Sequence, residues 1–263
     1  MSWPIGKTWD IGTTEILDEH ARLYAAATGD DSAVYLDGYA PPMVHVRLFH
    51  PLLWGIATDP ELALDVLRLV HGEHSMDFAR PLRVGDRVHV HGELLEVQEK
   101  SSGLLVVSAL YGDIDGERVL SGRTAYFIRA KNPPTGKKGP RPAPPDPGPP
   151  AWTGAIEVPG DASHRYAEAS LDDNPIHIDP AVATAAGLPD VILQGLCTMA
   201  MSVREAVRAN GGDPRSLTSA GVRFARPVFN GQSLTVHGWS DGSLVTLGPD
   251  GKPVVTGRVA FRG

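Results

Sequence analysis

Apolar and polar positions fall into two passages of similar design, one on each side of a proline-rich stretch. In the second passage the run Ala162–Ser170, with Asp161 before it in the place of an N-cap, predicts a short helix. A longer run from about Gly195 to Ala209 is apolar nearly all round at its start. There Leu196, Met199, Met201 and Val203 stand among small residues, which predicts a buried helix. Asn210-Gly211-Gly212 supplies its stop. Runs of β type follow at 221–224, 233–239, 244–247 and 254–261, separated by Gly, Asn and Asp turns. The first passage reads alike: a helix over roughly residues 14–28, a loop carrying aspartates, then an apolar helix. One buried helix followed by several antiparallel strands is an α+β layer arrangement.

The likeness of the two passages extends to residue identity. Phe78-Ala79-Arg80-Pro81 recurs as Phe224-Ala225-Arg226-Pro227, and Gly85, Val90, His91 and Gly92 recur at the same offset of 146. Tyr24, Ala25, Ala27, Asp30 and Asp31 recur at an offset of 142 as Tyr166, Ala167, Ala169, Asp172 and Asp173. Gly122-Arg123-Thr124-Ala125-Tyr126 is echoed by Gly257-Arg258-Val259-Ala260-Phe261. Three matches in one order indicate a duplicated domain. Between the copies, residues 131–150 hold nine prolines in twenty positions, a composition of extended, semi-rigid spacers. The expected division is 1–130, a linker over 131–150, and 151–263.

Bulk properties narrow the function classes. The chain has 263 residues, 42% of them hydrophobic, and a formal charge of −7, with no basic run. This argues against nucleic acid as a partner. No window of about 18 apolar residues predicts a membrane span, and the N-terminus lacks an apolar signal region, so a cytoplasmic location is expected. The single cysteine, Cys197, lies in the apolar helix and is expected to be buried and inert.

The chemistry concentrates in residues 166–180. Asp172 precedes His177 by five residues, with Asn174-Pro175 between them. Pro175 cannot continue a helix and pushes Asn174 towards an extended conformation, so a stiff loop presents both side chains. Asp179 and Pro180 then open a short helix. A carboxylate and an imidazole on one loop suit proton transfer. The segment resembles the hydratase-2 signature of the MaoC-like (R)-specific enoyl-CoA hydratases and dehydratases. That signature is an aromatic residue, Gly-Asp-x-Asn-Pro-aliphatic-His-x-Asp-Pro, then Ala. Tyr166, Asp172, Asn174, Pro175, Ile176, His177, Asp179, Pro180 and Ala183 match it, and Leu171 stands where Gly is usual.

The resemblance implies a hotdog fold, here a double hotdog, and reversible hydration of a trans-2-enoyl thioester to the (3R)-hydroxyacyl product. It implies Asp172 and His177 as the catalytic pair, in either division of acid and base. No metal or redox cofactor is expected, since the pantetheine of CoA or a carrier protein belongs to the substrate. An oxyanion donor is needed, and the backbone N–H of Gly195, at the positive end of the buried helix, is the candidate. Close helix–sheet packing is the competing reason for that glycine. Asn174 is expected to hold the loop or the water. Arg223 and Arg226, with Arg80, are candidates for CoA phosphates or for strand-end salt bridges. His89 and His91, with His71 and His74 nearby, lack a recognised metal-ligand spacing and read as a solvated strand face. Tyr35 stands in the first copy where His177 stands in the second, which predicts one site per chain. A hotdog thioesterase and a non-catalytic acyl-binding subunit remain as alternatives, and the chain is expected to be a monomer or a homodimer.

Overall fold

The computed structural model describes residues 3–131 and 148–262. The first half runs β1 (Thr8–Glu15), α1 (Asp18–Thr28), α2 (His45–Ala57), β2 (Leu69–Phe78), β3 (Arg87–Lys100), β4 (Gly103–Ile114) and β5 (Glu117–Arg129). The second runs β6 (Trp152–Glu157), α3 (Ala162–Ser170), α4 (Pro180–Ala185), α5 (Gly195–Ala209), β7 (Leu217–Phe224), β8 (Ser233–Gly238), β9 (Ser243–Leu247) and β10 (Pro253–Phe261). Element by element the halves correspond, with α4 added in the second. Residues 132–147 of the expected linker lie outside the described residues.

All these strands join one ten-stranded sheet in the order β1-β3-β4-β5-β2-β7-β10-β9-β8-β6. The second five are the first five in reverse, so the halves meet across β2 and β7. In that antiparallel pair Ser75 lies opposite Gly221, its own equivalent at the offset of 146. A pseudo-twofold axis therefore passes between them. A Cβ on Gly221 would sit 3.2 Å from that of Ser75, so the close approach at the axis uses the glycine. Tyr24 and Tyr166, also equivalents, meet at the same axis. Their hydroxyls are 2.8 Å apart and both rings are fully buried.

Each half wraps its sheet around a central helix, which is the double hotdog arrangement. On α2, Phe49, Leu52 and Ile56 have no exposure at all, each contributing about 1.5–3 kcal/mol through burial. On α5, Cys197 and Met199 are equally enclosed. Burial pushes the Cys197 thiol pKa upwards, in keeping with an inert side chain.

The first helix departs from the expectation over 14–28. Residues 8–15 form β1, in which Thr13 pairs with His89 and Thr14 with Val88, and the helix begins only at Asp18. Edge pairing with β3 overrides the helical reading there, and Asp18 and Glu19 supply the negative charge that suits a first turn. The counterpart β6 was not foreseen at all. Asp161 occupies the N-cap position of α3 but its side chain caps nothing.

Candidate active site

The loop after α3 is built by a left-handed residue. Leu171 has φ 70°, and its N–H bonds to Ala167 O, closing the helix. The equivalent residue of the first half, Gly29, has φ 66°. The same turn is made in both halves, and in the second a leucine carries about 1–2 kcal/mol of left-handed strain. Asn174 then caps a single 3-10 turn, Pro175–His177, its Oδ1 accepting from Ile176 N at 3.3 Å. Asp179 caps α4 by accepting from Ala181 N at 2.8 Å.

The short segment Ile192-Leu193-Gln194-Gly195 gathers the site. Ile192 O accepts from His177 Nδ1 at 2.7 Å. A carbonyl can only accept, so Nδ1 carries the proton, and Nε2 of the neutral ring keeps its lone pair. Gln194 is fully buried, and its Nε2 donates to Asp172 O and Ser163 O, each at 3.0 Å. Leu193 N donates to Val228 O at 2.8 Å, fixing the segment to the loop between β7 and β8. Gly195 opens α5. Cys197 and Thr198 already donate to Gln194 O, which leaves the Gly195 N–H among the orphan donors at the positive helix end. A Cβ on Gly195 would stand 3.2 Å from the Phe224 ring, so packing also calls for glycine here. Among the described residues no direct hydrogen bond joins Asp172 to His177. Sequence reasoning found Asp172, His177, Asn174 and Gly195 but missed the role of Gln194, which stands next to the glycine it singled out.

The first half supplies the opposite wall. Tyr126 donates to Leu53 O at 3.2 Å. Burial, with the negative charge of Asp172 behind it, pushes the Tyr126 phenol pKa upwards. The His71 ring lies 5.1 Å from that of Tyr126 and 5.3 Å from that of Phe224, with Nε2 2.8 Å from Thr124 Oγ1. Behind it His45 and His74 stack with their Nε2 atoms 3.2 Å apart. His45 Nδ1 lies 3.0 Å from Pro42 O and donates to it, so His45 Nε2 accepts from His74 Nε2–H. His74 Nδ1 is then a buried lone pair without a partner. The solvated-face reading therefore fails for His71 and His74, which β2 turns inward. His89 and His91 are bonded to Asp10 and Asp113 on the outer face at 2.8 and 2.9 Å. Among the described residues no group of three or more His, Cys, Asp or Glu is arranged to hold a metal ion.

The candidate CoA arginines are placed differently. Arg226 is held by Asp250 at 2.8 Å and by Pro253 O, and its equivalent Arg80 is held by Asp86 at 2.8 and 2.9 Å. Arg223 on β7 is largely exposed and only loosely paired, 3.9 Å from Glu73.

The equivalent corner of the first half has other contents. Tyr35 donates to Asp30 Oδ2 at 2.6 Å, and burial raises the pKa of both groups. The bond from Ala40 N to Leu82 O is the counterpart of that from Leu193 N to Val228 O, so Pro42 takes the place of Gly195. Proline has no N–H to offer. A cavity of only about 10 Å³ remains beside Tyr35, Pro42 and Phe78.

Comparison with known proteins gives the family. The MaoC-like domain matches residues 148–258, and the FAS1-like dehydratase domain region matches residues 4–121. The chain belongs to the MaoC-like dehydratase family. It is 32% identical over 210 residues to the peroxisomal multifunctional enzyme type 2 of Drosophila melanogaster, covering 75% of this chain and 35% of that protein. It is 32% identical over 179 residues to 3-hydroxyacyl-thioester dehydratase Y of Mycobacterium tuberculosis, covering 65% of this chain and 61% of that one. The chain thus spans about a third and three-fifths of these two relatives. A crystal structure of a MaoC-like dehydratase from Phytophthora capsici superposes with a TM-score of 0.79 at 21% identity, covering 97% and 95% of the two chains. That likeness shows the MaoC-like fold over the whole length, both hotdog halves included.

Proposed function

We propose that this chain adds water reversibly across the C2–C3 double bond of trans-2-enoyl thioesters, giving (3R)-3-hydroxyacyl thioesters in fatty-acyl metabolism. The observation that carries the reading is the segment 192–195, which ties Asp172, His177 and the first free N–H of α5 into one corner. With no bond between them, the Asp172 carboxylate and His177 Nε2 are left to share one water. As the C3–O bond forms, an O–H bond of that water breaks and its proton passes to the pair. The electrons of the double bond move towards the thioester oxygen, where the Gly195 N–H stabilises the charge. The same pair returns a proton to C2 on the face that the water attacked. Dehydration is this sequence reversed.

In this proposal Asn174 keeps the loop in shape, and the exposed Arg223 is available to a CoA phosphate, while Arg226 is committed to Asp250. No cofactor enters the scheme; CoA or a carrier pantetheine arrives with the acyl group. The family relatives, one named a 3-hydroxyacyl-thioester dehydratase, support the reaction class. No helix among the described residues is long and apolar enough to cross a membrane. We take an acyl thioester in solution as the partner, and the paired halves as sufficient for a working monomer.

The test is to mix the protein with trans-2-enoyl-CoA of several chain lengths, following enoyl absorbance and free thiol together. Loss of absorbance without thiol release is the result expected. Thiol release at the same rate would make the protein a thioesterase and overturn the proposal.

A further inference from the structure

The second half's site is faced by a titratable residue from the first half. On α2, Arg47 Nη1 donates to Glu168 O and Ala169 O at 2.9 and 3.0 Å, pinning the helix over the last turn of α3 just before the Asp172 loop. Six residues on, Leu53 O accepts from Tyr126, the phenol that feels the charge of Asp172. His50 lies midway, three residues from each, so it shares their face of the helix. It is half-buried.

The pseudo-twofold axis offers a comparison. In the first half the matching pair, Asp30 and Asp31, is faced by arginines from α5. Arg208 bonds Asp31 at 2.8 Å, and Arg204 donates to Thr28 O at 2.7 Å and Gly29 O at 3.2 Å. The corner without a histidine base is thus met by permanent cations, and the corner with one is met by an imidazole.

Resting on the hydratase reading, we propose that His50 is a positioning residue that sets the charge around Asp172. Burial lowers the pKa of His50, and the negative charges of Asp172 and Asp173 oppose that lowering. The charged or titratable groups around it are Asp172 and Asp173 on the facing loop, Tyr126 on β5 and Arg47 on its own helix. Neutral at neutral pH, the ring leaves the Asp172–His177 pair free to exchange a proton with water. Protonated in acid, it becomes a cation beside the carboxylate, as Arg208 is beside Asp31, and turnover falls.

Two measurements test this, one independent of activity. The NMR titration midpoint of His50 is compared in the native protein, Asp172→Asn and Asp173→Asn. Removing Asp172's charge is expected to lower the midpoint by about half a unit to one unit; an unchanged midpoint overturns the proposal. In the hydration assay His50→Gln is expected to shift the acid limb of the kcat profile, and His50→Arg to reduce kcat about tenfold with little change in KM. Profiles that superpose on the native one would overturn the proposal too. If the native protein shows no hydration at all, the functional reading fails, while the NMR comparison still decides whether His50 and Asp172 are linked.

Discussion

Gln194→Met removes the two amide hydrogen bonds that hold the catalytic corner while keeping a side chain of similar length. Each bond from Nε2, to Asp172 O and to Ser163 O, contributes about 1 kcal/mol net. Asp172 O then loses its donor in a partly buried place, a further cost of about 1 kcal/mol or more. Against this, the buried Oε1 of Gln194 has no partner in the native protein, and deleting it recovers about 1 kcal/mol. The balance is a loss of about 1–3 kcal/mol, seen as a lower urea midpoint with an unchanged m-value. The larger effect falls on catalysis, because an ångström of movement in the Asp172 backbone costs on the order of a hundredfold in rate. The expected result is a fall of at least about tenfold in kcat with KM changed far less. Gln194→Glu should be worse, since a carboxylate would face two carbonyl oxygens. A Met variant with native kcat and native urea midpoint would refute the idea that this amide organises the site.

Other outcomes follow from the same geometry. Leu171→Gly relieves about 1–2 kcal/mol of left-handed strain at φ 70° and gives back about 0.4–1 kcal/mol in unfolded-chain entropy. Denaturation should show unchanged or slightly higher stability with hydration rates retained; a loss above about 1 kcal/mol would mean that the 41%-exposed leucine packs usefully. Burial lowers the folded-state pKa of His45 and His71 to about 4, from an ordinary value of 6.5. The unfolded chain therefore binds more protons between these values, and stability falls as pH drops from 6.5 towards 4, by roughly 1.4 kcal/mol per unit for each ring. Urea midpoints at pH 7 and 5 should show this slope, and His45→Gln should flatten it; a pH-independent midpoint would contradict the buried neutral assignment.

The duplicated domain was legible because identity and spacing repeat together, and the offset of 146 reappears in space as the pairing of Ser75 with Gly221. The helix at 195–209 was legible from its apolar start and its Asn-Gly-Gly stop. β1 was not, since Thr8–Glu15 gains its structure from pairing with β3, a contact that no local pattern encodes. The same holds for the site. Asp172 and His177 announce themselves by residue type and spacing, and Asn174 and Gly195 by the signature around them. Gln194 acts through an amide reaching back 22 residues to Asp172, and His50, Tyr126 and His71 come from the other half. Their relation to Asp172 exists only once β2 and β7 have paired.

The most direct test of the central claim is hydration of a trans-2-enoyl-CoA by the native protein beside Asp172→Asn and His177→Ala, with folding checked by circular dichroism. The account expects turnover in the native protein and a loss of at least about a hundredfold in kcat in each folded variant. A folded Asp172→Asn that hydrates at the native rate, or a folded native protein that hydrates no chain length, would contradict it.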